Sequence, residues 1–207
     1  MRDYMVTLLL ALMVIMASAI PNPVPPPADV LTTTPRLTWT VQSAPNTPEI
    51  TLTGTIQEIY TQLKSINPTY DSDWANIMDA ATSTESSTEN KQNGFETANA
   101  KHTLKCAGYG GAYPEDIWDG IQHLRQVHGK PRNGPGPGNC GRVACKRGGA
   151  VFWCNNDNKP RTLPSFNNIA DGAQVVLDGC NNGYRQGFGG VLDHPDLWKV
   201  VVRYEKC

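Results

Sequence analysis

The chain has 207 residues, and its 18 Lys and Arg residues almost balance its 19 Asp and Glu residues. The balance hides two oppositely charged parts: counted from the sequence, residues 20–104 carry a net −5 and residues 105–207 a net +4. A basic domain favours anionic partners. An excess of four positive charges is too small to indicate a nucleic-acid partner by itself, and we expect none.

The first 19 residues have the composition of a secretory signal peptide. Arg2 supplies a positive start, an almost wholly apolar run follows from Val6 to Met16, and Ala17-Ser18-Ala19 offers the small residues that signal peptidase requires. The apolar run has about half the length of a membrane-spanning helix, and no second long run follows. We therefore expect cleavage before Ile20 and a secreted, extracellular protein without a transmembrane segment. The alternative is a short membrane anchor.

Three segments precede the C-terminal half. Residues 20–48 are rich in Pro and Thr, which predicts a disordered segment. Residues 49–80 predict a small acidic helical unit, in which the capping box Thr55-Ile56-Gln57-Glu58 opens a helix that ends near Ile66. Residues 81–100 are mainly Ser, Thr, Glu and Asn, which predicts a disordered linker. Because one amphipathic helix cannot bury its own apolar face, we expect the acidic unit to dock on the basic domain and mask its binding face, as a pro-region would.

Residues 101–207 predict a domain with the element order β-α-β-β-α-β. The predicted elements, in chain order, are a strand at 102–107, a helix from Pro114 to Gly129, a hairpin of 141–146 and 150–155 turning at Gly148-Gly149, a helix capped by Ser165, and a strand from Trp198 to Tyr204. Gly-rich stretches at 132–139 and 183–190 predict loops. The order predicts an α+β fold: a disulfide-stapled two-layer plait, with two helices on one face of a four-stranded antiparallel sheet. Each helix has a central glycine, Gly120 or Gly172, which close approach to a neighbouring element would explain.

All six cysteines lie in this C-terminal half, and they predict a disulfide framework: Cys106, Cys140, Cys145, Cys154, Cys180 and Cys207. A zinc site is disfavoured because no pair has Cys-x-x-Cys spacing, and we expect no metal. Six cysteines allow fifteen pairings. Strand geometry removes those that join Cys140 to Cys145, and the predicted hairpin register removes those that join Cys145 to Cys154. Nine arrangements stay open.

The histidines do not form a recognisable catalytic set. His123 and His128 are five residues apart on one helix and face away from each other, and His128 has the position of a favourable charge at the helix C-terminus. His102, with a carboxylate and Arg142, is the combination that a small secreted nuclease would use. No nucleophile or phosphate-binding loop is recognisable. We expect no enzyme, no catalytic residue and no cofactor.

Five cations cluster in the sequence around the exit of the first helix and the hairpin, and they predict a basic binding edge: Lys130, Arg132, Arg142, Lys146 and Arg147. The alternative is a solvated sheet edge whose charge prevents aggregation. Five aromatic residues would form a carbohydrate platform if exposed, or parts of the core and its rim if buried: Trp118, Trp153, Trp198, Tyr109 and Tyr113.

Four runs combine cysteines, helix faces and strand ends in the C-terminal half: Asn139–Cys145, Trp153-Cys154-Asn155, Ile169–Ala173, and Trp198–Arg203 before Cys207. This layout resembles small cysteine-rich proteins secreted by filamentous fungi and, more loosely, the killer-toxin-like and necrosis-inducing effector group. The resemblance covers about residues 101–207; it implies an α/β plait and a broad role, and its motifs carry no catalytic set.

We therefore expect a secreted, monomeric, non-catalytic effector- or toxin-like protein. It would act by binding an unidentified host or microbial target, either an anionic surface or a protein. Two alternatives stay open: a small secreted nuclease-like enzyme and a cell-wall carbohydrate binder.

Overall fold

Alternating apolar and polar residues build two antiparallel sheets in the computed structural model, which describes residues 37–76, 102–106, 111–181 and 187–207. The strands are β1 (Thr38–Gln42), β2 (Glu49–Thr53), β3 (Thr103–Lys105), β4 (Gly129–Asn133), β5 (Asn139–Lys146), β6 (Gly149–Asn155), β7 (Arg161–Thr162), β8 (Gly190–His194) and β9 (Trp198–Tyr204). The helices are α1 (Ile56–Ile66), α2 (described over 70–76), α3 (Pro114–Gln126) and α4 (Asn167–Cys180). The predicted signal peptide, the linker at 81–100 and Tyr109 lie outside the described residues.

The large sheet has the strand order β3-β8-β9-β6-β5, and α3 and α4 both cover the same face of it. The central glycines of the helices explain how closely they pack. A Cβ at Gly120 would lie 2.8 Å from the Cβ of Ala144, and one at Gly172 would lie 2.7 Å from Cγ2 of Val200. The α+β class, the position of both helices on one face and the predicted reason for the glycines are thus confirmed.

The large sheet has five strands, so the predicted four-stranded plait is wrong in this respect. The additional strand is β8, which pairs with β3 on one side and with β9 on the other. Its first residue, Gly190, belongs to a Gly-rich stretch that predicted a loop. This glycine is required by packing instead, because a Cβ there would lie 2.7 Å from Sγ of Cys180 and 2.9 Å from the Lys105 carbonyl oxygen.

The small sheet has the order β2-β1-β4-β7 and corrects the prediction for residues 20–48. Residues 37–48 of this segment are ordered, since β1 pairs with β2 on one side and with β4 on the other. The alternation from Thr38 to Gln42 places the side chains of Trp39 and Val41 in the core, where both are fully buried. Burial of two large apolar side chains therefore outweighs the local preference of a Pro- and Thr-rich stretch for extended, solvated chain.

The acidic unit docks on the domain as expected, but as part of one core rather than as a separable body. Residues 33–207 form a single compact unit. The predicted capping box is present, with the Thr55 backbone N–H donating to Oε2 of Glu58 over 2.7 Å. Helix α1 buries Ile56, Ile59 and Leu63 in the same cluster as the inner residues of α3 and α4. The indole N–H of Trp39 donates to the Gly54 carbonyl over 2.7 Å.

The β5–β6 hairpin turns one residue earlier than predicted, at Arg147-Gly148. Both residues have positive φ, +43° and +101°, as a two-residue type I′ turn requires. Cys145 therefore faces Ala150 and not Phe152, and a bulge between Arg142 and Ala144 then shifts the register by one residue. That bulge places Cys140 directly opposite Cys154.

The disulfides are Cys106–Cys180, Cys140–Cys154 and Cys145–Cys207, which is one of the nine arrangements left open. The first bridge ties the residue after edge strand β3 to the end of α4. The third ties β5, the opposite edge, to the last residue of the chain. All six cysteines are paired, and all three bridges lie within residues 106–207.

We expect Trp39→Ala to reduce the free energy of unfolding by about 3–5 kcal/mol, because it empties the space that a fully buried indole fills. Urea unfolding followed by near-ultraviolet circular dichroism measures the change. Thr38→Ala, exposed on the same strand, is the matched control and should change stability by less than about 0.5 kcal/mol.

Because Trp39 and α1 complete the core, residues 101–207 alone should not unfold cooperatively. Cooperative unfolding of that fragment would show that the core is not shared.

Candidate functional site

The structure divides the predicted basic edge into two separate groups. Arg142, Lys146 and Arg147 lie on β5 and its turn, at one edge of the large sheet. Lys130 and Arg132 lie on β4 in the small sheet. The five cations, which are close together in the sequence, therefore lie on two surfaces with different surroundings.

The hairpin group is engaged with the protein's own acceptors. Nε and Nη2 of Arg147 donate to Oδ1 of Asp116 over 2.9 and 2.7 Å, and Nζ of Lys146 lies 2.5 Å from Oδ1 of Asp119. The hydrogen bond to Asp116 raises the pKa of Arg147. Nη1 of Arg142 donates to the Lys206 carbonyl over 3.1 Å. These contacts hold the hairpin against α3 and the C-terminus and neutralise much of its charge.

The β4 group is exposed and unengaged. Within the described ranges, neither Lys130 nor Arg132 forms an ion pair or a side-chain hydrogen bond. The strand alternates, so that Pro131 and Asn133 are buried while the two cations face outward. Nδ2 of Asn133 donates to the carbonyls of Asn139 and Trp153 over 3.0 and 3.2 Å, which anchors β4 to the large sheet.

The cations share their face of the small sheet with four threonines. Strand register places Thr38 opposite Thr53 and Thr40 opposite Thr51, and Lys130 beside Thr40 on the other side. Because side chains alternate along a strand, these residues point to the same face. We call this surface the threonine face: Thr38, Thr40, Thr51, Thr53, Lys130 and Arg132.

An open groove of about 600 Å³ adjoins the threonine face. Its lining residues combine hydroxyl, amide and apolar groups with one cation: Leu37, Thr38, Thr40, Thr51, Arg132, Asn133, Gly134, Pro135, Asn139 and Pro160. None of these described residues is acidic, and Arg132 gives them a positive formal charge. The threonines are not among the predicted site residues, because they fall in or beside the segment predicted to be disordered. The alternation Thr-Trp-Thr-Val-Gln, followed by Glu-Ile-Thr-Leu-Thr, is the signal that could have found them.

His102 contacts His194, not Arg142. The two imidazole rings lie 4.6 Å apart, and the His194 ring stacks on Trp198 at 4.4 Å. Nδ1 of His194 accepts a hydrogen bond from the Asp196 backbone N–H over 3.1 Å. Burial lowers the pKa of both histidines. Arg142 lies on β5, at the sheet edge opposite β3, so the trio expected for a nuclease does not come together.

His128 is a half-buried packing residue, which corrects its interpretation as a charge at a helix C-terminus. Its ring stacks on Trp74 at 3.9 Å with an angle of 8° between the planes, and burial lowers its pKa. Its backbone N–H donates to the hydroxyl of Tyr70 over 3.0 Å, and burial raises the pKa of Tyr70 to about 12. The stack joins α2 to the segment after α3.

The predicted aromatic residues do not share one surface. Trp153 is fully buried and Trp198 is 4% exposed, so both belong to the core. Tyr113 and Trp118 are about half exposed. They are five residues apart at and after the start of α3, which turns them about 140° from each other around the helix.

Comparisons with protein-family models, with curated proteins and with solved structures find no match. In the part of the chain that the structure describes, no group of three or more His, Cys, Asp or Glu side chains could hold a metal ion. No helix among the same residues is long and apolar enough to cross a membrane. The function therefore has to be argued from the surface of the chain itself.

We expect Arg147→Gln to lower the melting temperature, because it leaves the carboxylate of Asp116, which is 2% exposed, without its charged partner. Arg132→Gln removes the same charge from an unengaged position and should leave the melting temperature close to that of the wild type. Differential scanning calorimetry of the two variants makes the comparison. Equal melting temperatures for the two would show that the Arg147–Asp116 pair has no structural role.

We expect the free energy of unfolding to fall as the pH falls below the ordinary imidazole pKa of 6.5, partly because of His128. Burial lowers the folded-state pKa of His128, so between that pKa and 6.5 the unfolded chain binds more protons, and acid favours unfolding. Urea unfolding at a series of pH values should give a smaller slope for His128→Phe, which keeps an aromatic ring against Trp74. An unchanged slope would contradict this role for His128.

Proposed function

We propose that this chain is a secreted, extracellular, non-catalytic effector- or toxin-like protein that binds a host or competitor target through the threonine face. One observation carries the choice of surface. Among the described residues Lys130 and Arg132 are exposed and have no intramolecular partner, and they lie beside a groove whose described lining has no carboxylate. The signal-like N-terminus, the three disulfides and the resemblance to fungal cysteine-rich proteins support the extracellular setting.

Binding fits the surface better than catalysis does. The cations of the hairpin are held by Asp116, Asp119 and a backbone carbonyl, so the β4 group is the part of the predicted basic edge that can meet a partner. Two of the histidines with lowered pKa values, His128 and His194, stack on aromatic rings and form part of the packing. A flat polar face with an adjoining groove suits recognition of an extended partner.

A nuclease is the second candidate, because one observation favours it. The rings of His102 and His194 lie 4.6 Å apart, and imidazole is the side chain that most often acts as general acid or base in enzymes. Nδ1 of His194 is, however, occupied by the Asp196 backbone N–H, and the side chain is 13% exposed. This arrangement supports a structural role more than a proton transfer to substrate.

The decisive experiment compares variants of the purified, oxidised mature chain infiltrated into plant tissue and applied to competing microbes. Lys130→Gln/Arg132→Gln should abolish the tissue response or the growth inhibition, because it removes the unengaged charge. Lys199→Gln/Lys206→Gln removes the same charge from β9 and the segment after it and should retain activity. All variants are first compared by calorimetry, so that a loss of folding is recognised.

Two results would contradict the proposal. Equal activity of both charge variants would show that the threonine face is not the binding surface. Loss of activity in His102→Gln/His194→Gln, together with loss of RNA cleavage that the wild type performs, would favour the nuclease.

A further inference from the structure

We propose that the groove beside the threonine face binds an anionic sugar chain, a polysaccharide that carries carboxylate or sulfate groups. The inference rests on the proposed function and names the chemical class of its ligand. It is carried by three properties of the groove: the sign of its charge, the hydroxyl groups that line it, and its extension onto a flat sheet face.

The charge selects an anion. Arg132 is the only charged residue among the described residues that line the groove, and Lys130 lies two residues away on the same strand and face. Two positions along a strand correspond to about 7 Å, so the cations can meet two successive anionic groups of one chain. A guanidinium binds carboxylate or sulfate through two parallel hydrogen bonds. A cationic ligand would find no carboxylate in this lining.

The hydroxyl groups select a sugar. Thr38, Thr40 and Thr51 line the groove, and within the described residues their hydroxyls make no side-chain hydrogen bond. Each hydroxyl can donate one hydrogen bond and accept two, which matches the hydroxyls of a sugar ring. Pro135 and Pro160 add apolar surface on which the C–H groups of such a ring can lie.

The register of the small sheet favours an extended polysaccharide as the ligand. Lys130, Thr40 and Thr51 form one row across β4, β1 and β2. Two residues further along the strands, the same register places Arg132 in a row with Thr38 and Thr53. The rows run about 5 Å from strand to strand, which gives a regular flat surface continuous with the groove. Many weak contacts repeated along a polymer add up through effective concentration.

A nucleic acid fits the groove less well. Single-stranded nucleic acids are held by bases stacked on aromatic side chains, and the groove lining contains no aromatic residue. Nucleic-acid binding is therefore an outcome that the experiment must exclude.

The test uses the full oxidised mature chain and four probes in calorimetric titration: polygalacturonate, its methyl-esterified form, heparin and poly(U). At about 0.1 M salt, where the Debye length is about 10 Å, we expect binding to polygalacturonate or heparin and no binding to the methyl ester. Arg132→Gln should weaken that binding about tenfold or more, as expected for a lost charge-assisted hydrogen bond. Thr40→Val/Thr51→Val keeps the β-branched shape, removes the hydroxyls, and should weaken binding severalfold.

Lys199→Gln, which removes one positive charge from the large sheet, is the matched control and should bind like the wild type. Equal weakening by Lys199→Gln and Arg132→Gln, with no effect of the threonine substitutions, would reveal simple ion exchange and overturn the inference. Tighter binding to poly(U) than to either acidic polysaccharide would overturn it in favour of nucleic acid.

Failure of this inference can be told apart from failure of the proposed function. If no acidic polysaccharide binds, but activity on tissue or microbes still requires Lys130 and Arg132, only the ligand class is wrong. If activity is also independent of both cations, the threonine face is not the functional surface.

Discussion

The central position of β1 is the constraint on which the rest of the structure depends. This strand pairs with β2 on one side and with β4 on the other, and it buries Trp39 completely. The Trp39 ring lies 5.3 Å from that of Phe166, immediately before α4, so a residue from the N-terminal part completes the core of the C-terminal part. Without β1, strand β4 would keep only the two-residue pairing with β7. The threonine face would then lose the neighbours of Lys130 and Arg132.

The arrangement of acids on α3 decides which cations are available for binding. Asp116 and Asp119 lie on the side of α3 that meets the β5–β6 turn, and they hold Arg147 and Lys146. The contact with Asp116 also stabilises Arg147 in the left-handed conformation that the turn needs, with φ at +43°. The hairpin cations are therefore engaged in contacts that hold the turn against α3. The two strands that pair with β4, as the structure describes them, contain no acid, and the β4 cations remain exposed.

The sequence predicts the elements whose signals are local. The capping box of α1, the apolar stripes of α3 and α4 and the alternation in β9 all depend on residues close in the chain, and each element is observed. The strands that were missed are β1, β4, β7 and β8, which are short and rich in Gly, Pro or Thr. Their stability comes from distant partners: Gly129 of β4, with φ at +149°, has no room for a Cβ because the Thr40 carbonyl oxygen would lie 2.5 Å away. A glycine that local reasoning assigns to the end of a helix is here required by a neighbouring strand.

The same distinction explains why the sequence predicts only half of the threonine face. Lys130 and Arg132 were identified by charge, but sequence proximity grouped them with Arg142, Lys146 and Arg147, which the fold places in the other sheet. The threonines that complete the face lie about 80 to 90 residues earlier in the chain, and pattern reasoning cannot pair strands over that distance.

The shared sheet also changes what removal of the acidic unit would do. As a pro-region, that unit was expected to mask the binding face and expose it on release. Strand β2 of that unit and strand β1, which precedes it, instead supply all four threonines of the threonine face. Release of the N-terminal part would therefore dismantle the surface. Contact between the two parts is made by strand pairing and apolar burial, which salt does not screen, and the ion pair of Lys64 with Asp71 lies within the unit itself. All three disulfides lie C-terminal to the predicted linker, so a chain cut there would be held together by the core alone. Retention of the N-terminal part after such a cut is therefore what the fold requires for an intact threonine face.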